Sequence, residues 1–325
     1  MEIVDKNTFF HTTQDFAFVP FTQSEGWRAY SSNDENRFMF FVDNAEKPSM
    51  ACMGYIIRKF GLKMLQIEGE CFFNEKEIDS KKIRDFYREI SQTDFDIIEI
   101  NSMLPYNALY EIGVREAGYL RPVGMFSSAL SNWINLQNEI HYNENWRRNL
   151  KKAAKFSMKF EVIETPSEKE ILFATDFYNK FTAQKGFAHR LNYAQTRGLL
   201  QSGNFSLALV KNESADVLAM LIFHKRRTHA GLLYAARNID NRDDNGVTFF
   251  IYDNLFKHLK EKDFQTFDME KLCPSTHSKQ SVFLFKNGVR GEYVQYCGEF
   301  SFYKRHIYRL LMYFVKKYLF KRVEV

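Results

Sequence analysis

Through the first 125 residues, short apolar runs alternate with polar stretches in a readable order. Phe38–Val42 is an apolar run of strand length, and DNAEKP at 43–48 is a turn. Residues 51–59 and 62–68 follow as two strands with Gly61 at the corner between them. In Ser80–Ser91, the apolar Ile83, Phe86, Tyr87 and Ile90 fall at offsets 0, 3, 4 and 7, which predicts a helix with one buried face. A strand at 96–101 comes next, then a helix at 106–117 stopped by Gly118, and a returning strand at 119–125.

The same order returns in the second half. Residues 205–210 read as a strand, 211–216 as a turn, and 217–224 with 227–235 as a hairpin. Phe249, Tyr252, Phe256 and Leu259 mark one face of a helix over 248–260. A strand at 264–269, a helix at 277–287 ended by Gly288, and a closing strand at 289–297 complete the set. Hairpin, strand, helix, strand, helix, glycine, strand thus occurs twice, which predicts a duplicated α/β fold with mixed sheets.

Two helical patterns lie outside this repeat. In YNENWRRNLKKAAKFSM at 142–158, Arg147, Lys151 and Lys155 are spaced by four, with Arg148, Lys152 and Lys159 as a neighbouring stripe. Trp146, Leu150, Ala153 and Ala154 form its narrower apolar side, and Asn143 or Asn145 is the cap, Asn145 if Trp146 packs in the first turn. This helix is either a solvated linker or a cationic wall for a phosphate or carboxylate. Over 303–322, Ile307, Leu310, Leu311, Phe314, Tyr318 and Leu319 form an apolar stripe, with Arg305, Arg309 and Lys316 on another face. That stripe either docks on the second domain with the cations outward, or brings the chain to an anionic membrane surface, or meets a partner protein.

Composition narrows the classes. The 325 residues are 45% apolar and 26% charged, which excludes disorder and low complexity. There are 33 Phe and 17 Tyr against 15 Gly and 6 Pro, and no GxGxxG or GxxxxGK[ST] motif, so a dinucleotide or P-loop site is not expected. The net charge of +5 resides at the end: residues 300–323 hold seven Lys and Arg and no acid, leaving 5 − 7 = −2 elsewhere. A general nucleic-acid-binding surface is a poor fit to that distribution. The opening lacks a leader-like apolar stretch and no apolar run nears bilayer length, so the expectation is a cytoplasmic protein, peripheral on the membrane at most. Cys52, Cys71, Cys273 and Cys297 stand apart and are expected as reduced, small core residues.

Trp146–Val162, WRRNLKKAAKFSMKFEV, resembles the segment that opens the second domain of Fem-type peptidyltransferases, which are built from two GNAT-like (N-acetyltransferase-type) domains. FLFKNGVRGEYVQYCGE at 283–299 resembles their closing run, with Phe285, Lys286, Gly288, Gly291, Glu292 and Gly298 in the pattern. LYAARN at 233–238 and FDME at 267–270 fall between in the expected order. The similarity covers 150–325 well, and the first half by architecture. It implies an N-terminal GNAT-like domain over 1–137, a basic linker helix over 138–160, a C-terminal GNAT-like domain over 161–300 and a basic amphipathic helix over 301–325. It also implies acyl or aminoacyl transfer to an amine or hydroxyl of a cell-envelope or surface-glycan precursor, nucleotide- or lipid-linked. Acyl-CoA or aminoacyl-tRNA would be the donor substrate, with no tightly bound cofactor. The loop before the helix at 248 has one glycine and three aspartates over 237–246, a poor cradle for the CoA diphosphate. A CoA-dependent N-acyltransferase of nucleotide-linked sugars and a catalytically silent scaffold at the membrane are the alternatives.

Acyl transfer from an activated carbonyl needs a held nucleophile, a proton acceptor and donors for the oxyanion, so the absence of a GxSxG or HExxH motif is no obstacle, and no metal spacing occurs. Asp268 and Glu270, two apart at a strand end, are expected on one face as orienting group or base, Asp268 first; a cap of the strand end is the plainer reading. His189, in the polar loop KGFAHRLN, is a further candidate base or a surface histidine. Substrate-binding candidates are Arg147, Lys151 and Lys152 on the basic helix, Tyr234 and Arg237 where a GNAT-like sheet splays, and Lys286 and Arg290 about Gly288.

Overall fold

Strand and helix alternate as expected in a computed structural model that describes residues 1–32, 34–124, 129–240, 246–274 and 281–319. Met125, residues 241–245 with two of the three loop aspartates, the start of the helix expected at 277, and Lys321 with Arg322 lie outside the described residues. The first part of the chain forms β1 (Glu2–Val4), α1 (Lys6–Thr13), α2 (Glu25–Ser31), β2 (Phe38–Val42) and β3 (Met50–Lys59). It continues with β4 (Leu62–Ile67), β5 (Cys71–Phe72), α3 (Ser80–Ser91), β6 (Ile97–Pro105) and α4 (Ala108–Glu116). Then come β7 (Leu130–Asn135), β8 (His141–Tyr142), α5 (Glu144–Ala153), β9 (Lys159–Ile163), α6 (Glu168–Gln184) and α7 (Tyr193–Leu200). The second repeat is β10 (Phe205–Lys211), β11 (Val217–Arg226), β12 (His229–Arg237), α8 (Val247–Glu261) and β13 (Thr266–Asp268). The chain closes with α9 (Ser281–Lys286), β14 (Val289–Arg290), β15 (Glu292–Tyr303) and α10 (His306–Phe314).

Two compact units result: residues 1–24, 34–129 and 295–325, and residues 25–33 and 130–294. In the first, the strands pair in the order β1-β2-β3-β4-β6-β15, all antiparallel except β4–β6, which is parallel across α3. In the second the order is β7-β13-β12-β11-β10-β9, again with one parallel pair, β12–β13, across α8. The repeated element order therefore produces the same pairing pattern twice. Each unit has its own core: Ile83, Phe86, Tyr87 and Ile90 of α3 pack in the first, as their spacing predicts. Ile251, Tyr252, Leu255, Phe256 and Leu259 of α8 pack in the second.

The closing strands depart from a sequential split. The strand beside β6 is β15, from the end of the chain, and the strand beside β13 is β7, from its first half. A domain ending at 137 and another spanning 161–300 do not coincide with these units, and α2 also belongs to the second. The reason is physical: β6 and β13 each present unpaired N–H and C=O groups that need a neighbour, and periodicity says nothing about which strand supplies it. Among the described residues of 119–124, where a strand was expected, only Leu120 bridges, to Ser301; Pro122, two residues on, cannot donate to a ladder. Cys52, Cys71 and Cys297 are buried, but Cys273 is exposed, just past the last residue bridged to Leu130.

The basic helix is α5 and packs within the second unit, against α8. Its cap is Asn143, whose side chain accepts from the Trp146 amide, so Trp146 does pack in the first turn and Asn143 still caps. Trp146 is fully buried, stacked on Tyr142 at 5.0 Å, with its indole N–H donated to the Phe285 carbonyl. A Cβ on Gly288 would come within 2.3 Å of that ring, which is why glycine follows α9 here.

Candidate active site

β12 and β13 run parallel only from His229–Gly231 against Thr266–Asp268; β13 then stops while β12 continues to Arg237. At this divergence four ionisable side chains meet. Asp268 ends β13 and Glu270 follows it in a left-handed conformation, φ 55°, with Lys271 at φ 24°. The strand alternation expected to put both carboxylates on one face is therefore broken after Asp268, and the turn, not the pleat, brings Glu270 round. His224 on β11 places Nε2 3.4 Å from Glu270 Oε1. Lys286, the last residue of α9, donates to the carbonyl oxygens of Glu270 and, at 3.3 Å, Lys271.

Three donors on the surrounding elements hold Asp268 in place. Its carboxylate accepts from the Ser131 hydroxyl, from Trp133 Nε1 at 3.0 Å and from the Glu270 amide at 2.7 Å. Ser131 and Trp133 alternate on one face of β7, with Asn132 opposite donating to the carbonyls of Lys286 and Val289. None of these three was singled out from sequence; their only signal is the polar alternation in LSNWIN, which carries no indication that this strand joins β13. Gly231 completes the arrangement, because a Cβ there would lie 2.3 Å from His224 Nε2 and 3.1 Å from Asp268 Cβ.

Burial sets the protonation of the group. It pushes Glu270 up to about 7, against the pull of the Lys271 and Lys286 charges. It pushes His224 down to about 4, partly opposed by Asp268, so this imidazole is neutral near pH 7. Lys286 is lowered by the same loss of water, opposed by Glu270 and Asp268. A carboxyl with its pKa near neutrality beside a lysine whose pKa is lowered is a pair suited to general acid–base chemistry.

Further along β12, Tyr234 and His189 form a second group. Their rings stack at 5.2 Å, and Tyr178 lies edge-on to His189 at 5.8 Å. The Tyr30 hydroxyl is 2.7 Å from that of Tyr234 and 3.4 Å from His189 Nε2. Tyr30 arrives on α2, which packs on α7 so closely that Gly198 has no room for a Cβ beside Ala29. Burial, with Arg190 nearby, lowers the His189 pKa, so it is an uncharged ring in an aromatic wall.

The remaining expected residues go elsewhere. Arg237 is exposed and lines a pocket of ≈ 340 Å³ with Lys180, Phe173, Phe177, Phe181 and Asn238. Arg147, Lys151 and Lys152 line a separate groove of ≈ 540 Å³ along α5, with Arg148, Lys155 and Glu144. Arg290 is exposed on β14, opposite His141, outside both clusters. Gly246, φ 70°, caps α8 against α5, its Cα so near the Asn149 carbonyl that a Cβ would sit 2.3 Å from it.

No protein-family profile matches the sequence, and no curated protein matches it. Solved structures do. FemX superposes with a TM-score of 0.73 at 11% identity, over 96% of this chain and 100% of its own. L-PGS from Bacillus licheniformis gives 0.64 at 12%, over 96% and 97%. The C-terminal domain of an Agrobacterium fabrum protein named as a lysylphosphatidylglycerol synthetase gives 0.58 at 12%, over 85% and 87%. With the pairing pattern repeated in both units, the chain has the Fem-type, GNAT-like fold that its motifs resemble.

Proposed function

We propose that the protein is an acyl or aminoacyl transferase acting on an amine or hydroxyl of a cell-envelope or surface-glycan precursor, with the chemistry at His224, Asp268, Glu270 and Lys286. The observation that carries this reading is the placement of Glu270 and Lys286 together at the opening between β12 and β13. The likeness to FemX and to L-PGS supports the substrate class.

In this scheme the acceptor's N–H or O–H is removed by the Glu270 carboxylate as its lone pair adds to the activated carbonyl carbon. The third N–H of Lys286, beyond the two held by the turn carbonyls, meets the developing oxyanion. Collapse breaks the ester or thioester bond, and the leaving oxygen or sulfur takes the proton that Glu270 accepted, which restores the carboxylate. Asp268, held by Ser131 and Trp133, positions the Glu270 amide and is the orienting group of the pair. Neutral His224 keeps the carboxyl's surroundings polar without adding charge.

An aminoacyl-tRNA or an acyl-CoA supplies the carbonyl. The cationic groove of α5 favours a phosphate-bearing substrate on that face. A CoA-type or nucleotide-linked molecule is the second reading, favoured by Arg237, which lines one pocket with Phe173, Phe177 and Phe181 and with Lys180, itself paired with Asp240. Transfer assays with labelled aminoacyl esters and acyl-CoAs, against amine and hydroxyl acceptors from envelope precursors, test both. Glu270→Gln should lower turnover about 10²-fold or more. Transfer by Glu270→Gln at the parent rate, or none by the parent from either donor class, would sink the proposal.

A further inference from the structure

The C-terminal helix sits in the first unit, and in the opposite rotation from the docking its apolar stripe suggests. Met312 is buried among Leu62, Met64 and Ile97, with Tyr308 packed alongside. In the π-helical turn after α10, Val315 and Lys316 are buried too. Residues 308, 312, 315 and 316 are thus the docked side. The broad stripe faces away: Ile307 is 58% exposed, Leu310 51%, Phe314 47%, Tyr318 63% and Leu319 65%.

A buried ion pair fixes this rotation. Lys316 Nζ, on a fully buried side chain, lies 3.5 Å from Glu99 Oε1 on β6 and 3.4 Å from the Gly124 carbonyl. Turning the stripe inward would separate that pair and strand Glu99, whose carboxylate is itself largely removed from water. The apolar side is therefore held outward by the fold, in a segment where an ordinary protein surface would turn it in.

Charge identifies what covers it. Residues 300–323 contain seven Lys and Arg and no acid; Lys316 is paired with Glu99 and Lys304 with Asp94, while Arg305, which precedes α10, and Arg309 on it are exposed. Phe314 and Tyr318 stack at 6.0 Å, with Lys317 Nζ 5.6 Å from the Tyr318 ring, an aromatic and lysine border of the kind found at headgroup depth. The β3–β4 hairpin, whose Leu62 and Met64 lie under Met312, adds exposed Arg58, Lys59 and Phe60 at its tip, with Phe60 in a left-handed turn at φ 55°. A protein partner would be met by a mixed-sign rim, and here one sign is absent over the whole helix. No described helix is long and apolar enough to cross a membrane.

We propose that this helix is an anionic-lipid docking face: the stripe of Ile307, Leu310, Phe314, Tyr318 and Leu319 enters the headgroup boundary while Arg305, Arg309 and Lys317 meet phosphate. The proposal stands independently of the acyl-transfer reading. Flotation of the full chain with vesicles of phosphatidylglycerol and phosphatidylcholine should recover the protein at low salt and release it at high salt, with pure phosphatidylcholine recovering little. Leu310→Glu with Phe314→Glu should abolish flotation while circular dichroism and the thermal midpoint stay unchanged, because both side chains are exposed. Arg305→Glu with Arg309→Glu should weaken partitioning about tenfold or more and guards against loss of fold in the first variant. Equal recovery on both vesicle types, no recovery at low salt, flotation indifferent to both variants, or self-association through this face that lipid does not displace would each overturn it.

Discussion

The ammonium of Lys286 donates to the carbonyl oxygen of Glu270, the residue whose left-handed backbone turns the chain away from the end of β13. A left-handed glutamate is uncommon and carries strain, and Lys286 holds the turn by bonding to its two successive carbonyls. One side chain thus sets both the backbone and the charge around the carboxyl proposed as base.

Lys286→Met should therefore affect activity more than folding. Loss of the oxyanion contact predicts about 10²-fold or more in turnover. Loss of the carbonyl partners predicts about 1–3 kcal/mol in stability. Lys286→Arg keeps the charge and should recover stability before activity. Denaturant unfolding and kcat with KM on both variants check this; equal recovery of both quantities by arginine would leave Lys286 a staple for the turn.

Glu270 makes stability depend on pH with an unusual sign. Its pKa in the folded protein, about 7, exceeds the 4.5 of an exposed glutamate. The folded state thus keeps a proton that the unfolded chain releases, and this group's contribution falls as pH rises from about 4.5 to about 7. Glu270→Gln removes the titration, so its stability relative to the parent should climb over that window, by at most about 3 kcal/mol. The buried His224 titrates lower and is common to both proteins. Parallel stability curves from thermal unfolding across the window would show that the carboxyl is not buried as described. The parent's turnover should rise through the same window as the carboxylate forms.

Gly231→Ala tests the closeness of β12 to the cluster. The new Cβ would meet His224 Nε2 at 2.3 Å, so the imidazole must swing away from Glu270. We expect a folded protein, destabilised by about 1–3 kcal/mol, with its pH–rate profile displaced. An unmoved profile would remove His224 from any role beside Glu270.

For the groove along α5, Arg147→Ala with Lys151→Ala should weaken binding of a phosphate-bearing substrate and flatten its salt dependence. Both side chains are exposed, and neither has an ion-pair partner among the described residues, so stability should hold within about 0.5 kcal/mol. Affinity and salt slope unchanged, measured by titration with a substrate that the parent turns over, would return α5 to a solvated surface helix.

The local order of this protein is written in its periodicities. Ser80–Ser91 is a helix with the four apolar residues of its pattern all buried, and Phe38–Val42 is a strand with the expected bounds. These succeed because a helix face or a strand run is specified by neighbours within a few residues, whatever else the chain does. The repeat was legible for the same reason; Asp268 and Glu270 were candidates from their place at a strand end and Lys286 from its place beside Gly288, while the left-handed turn that joins them was not legible. Only tertiary structure decided which strand closes each sheet, because hydrogen bonding to an open edge carries no sequence signal of its own. That decision brings Ser131 and Trp133 to Asp268, as the placement of α2 brings Tyr30 to His189. Arg290, paired through β14 with β8, stays outside the cluster that Lys286 enters. In the tail, spacing identified the helix and its stripe correctly but not its rotation, which rests on one long-range pair, Lys316 with Glu99, 217 residues apart. Long-range pairing of single groups is invisible to periodicity, and here it determines which face the protein shows.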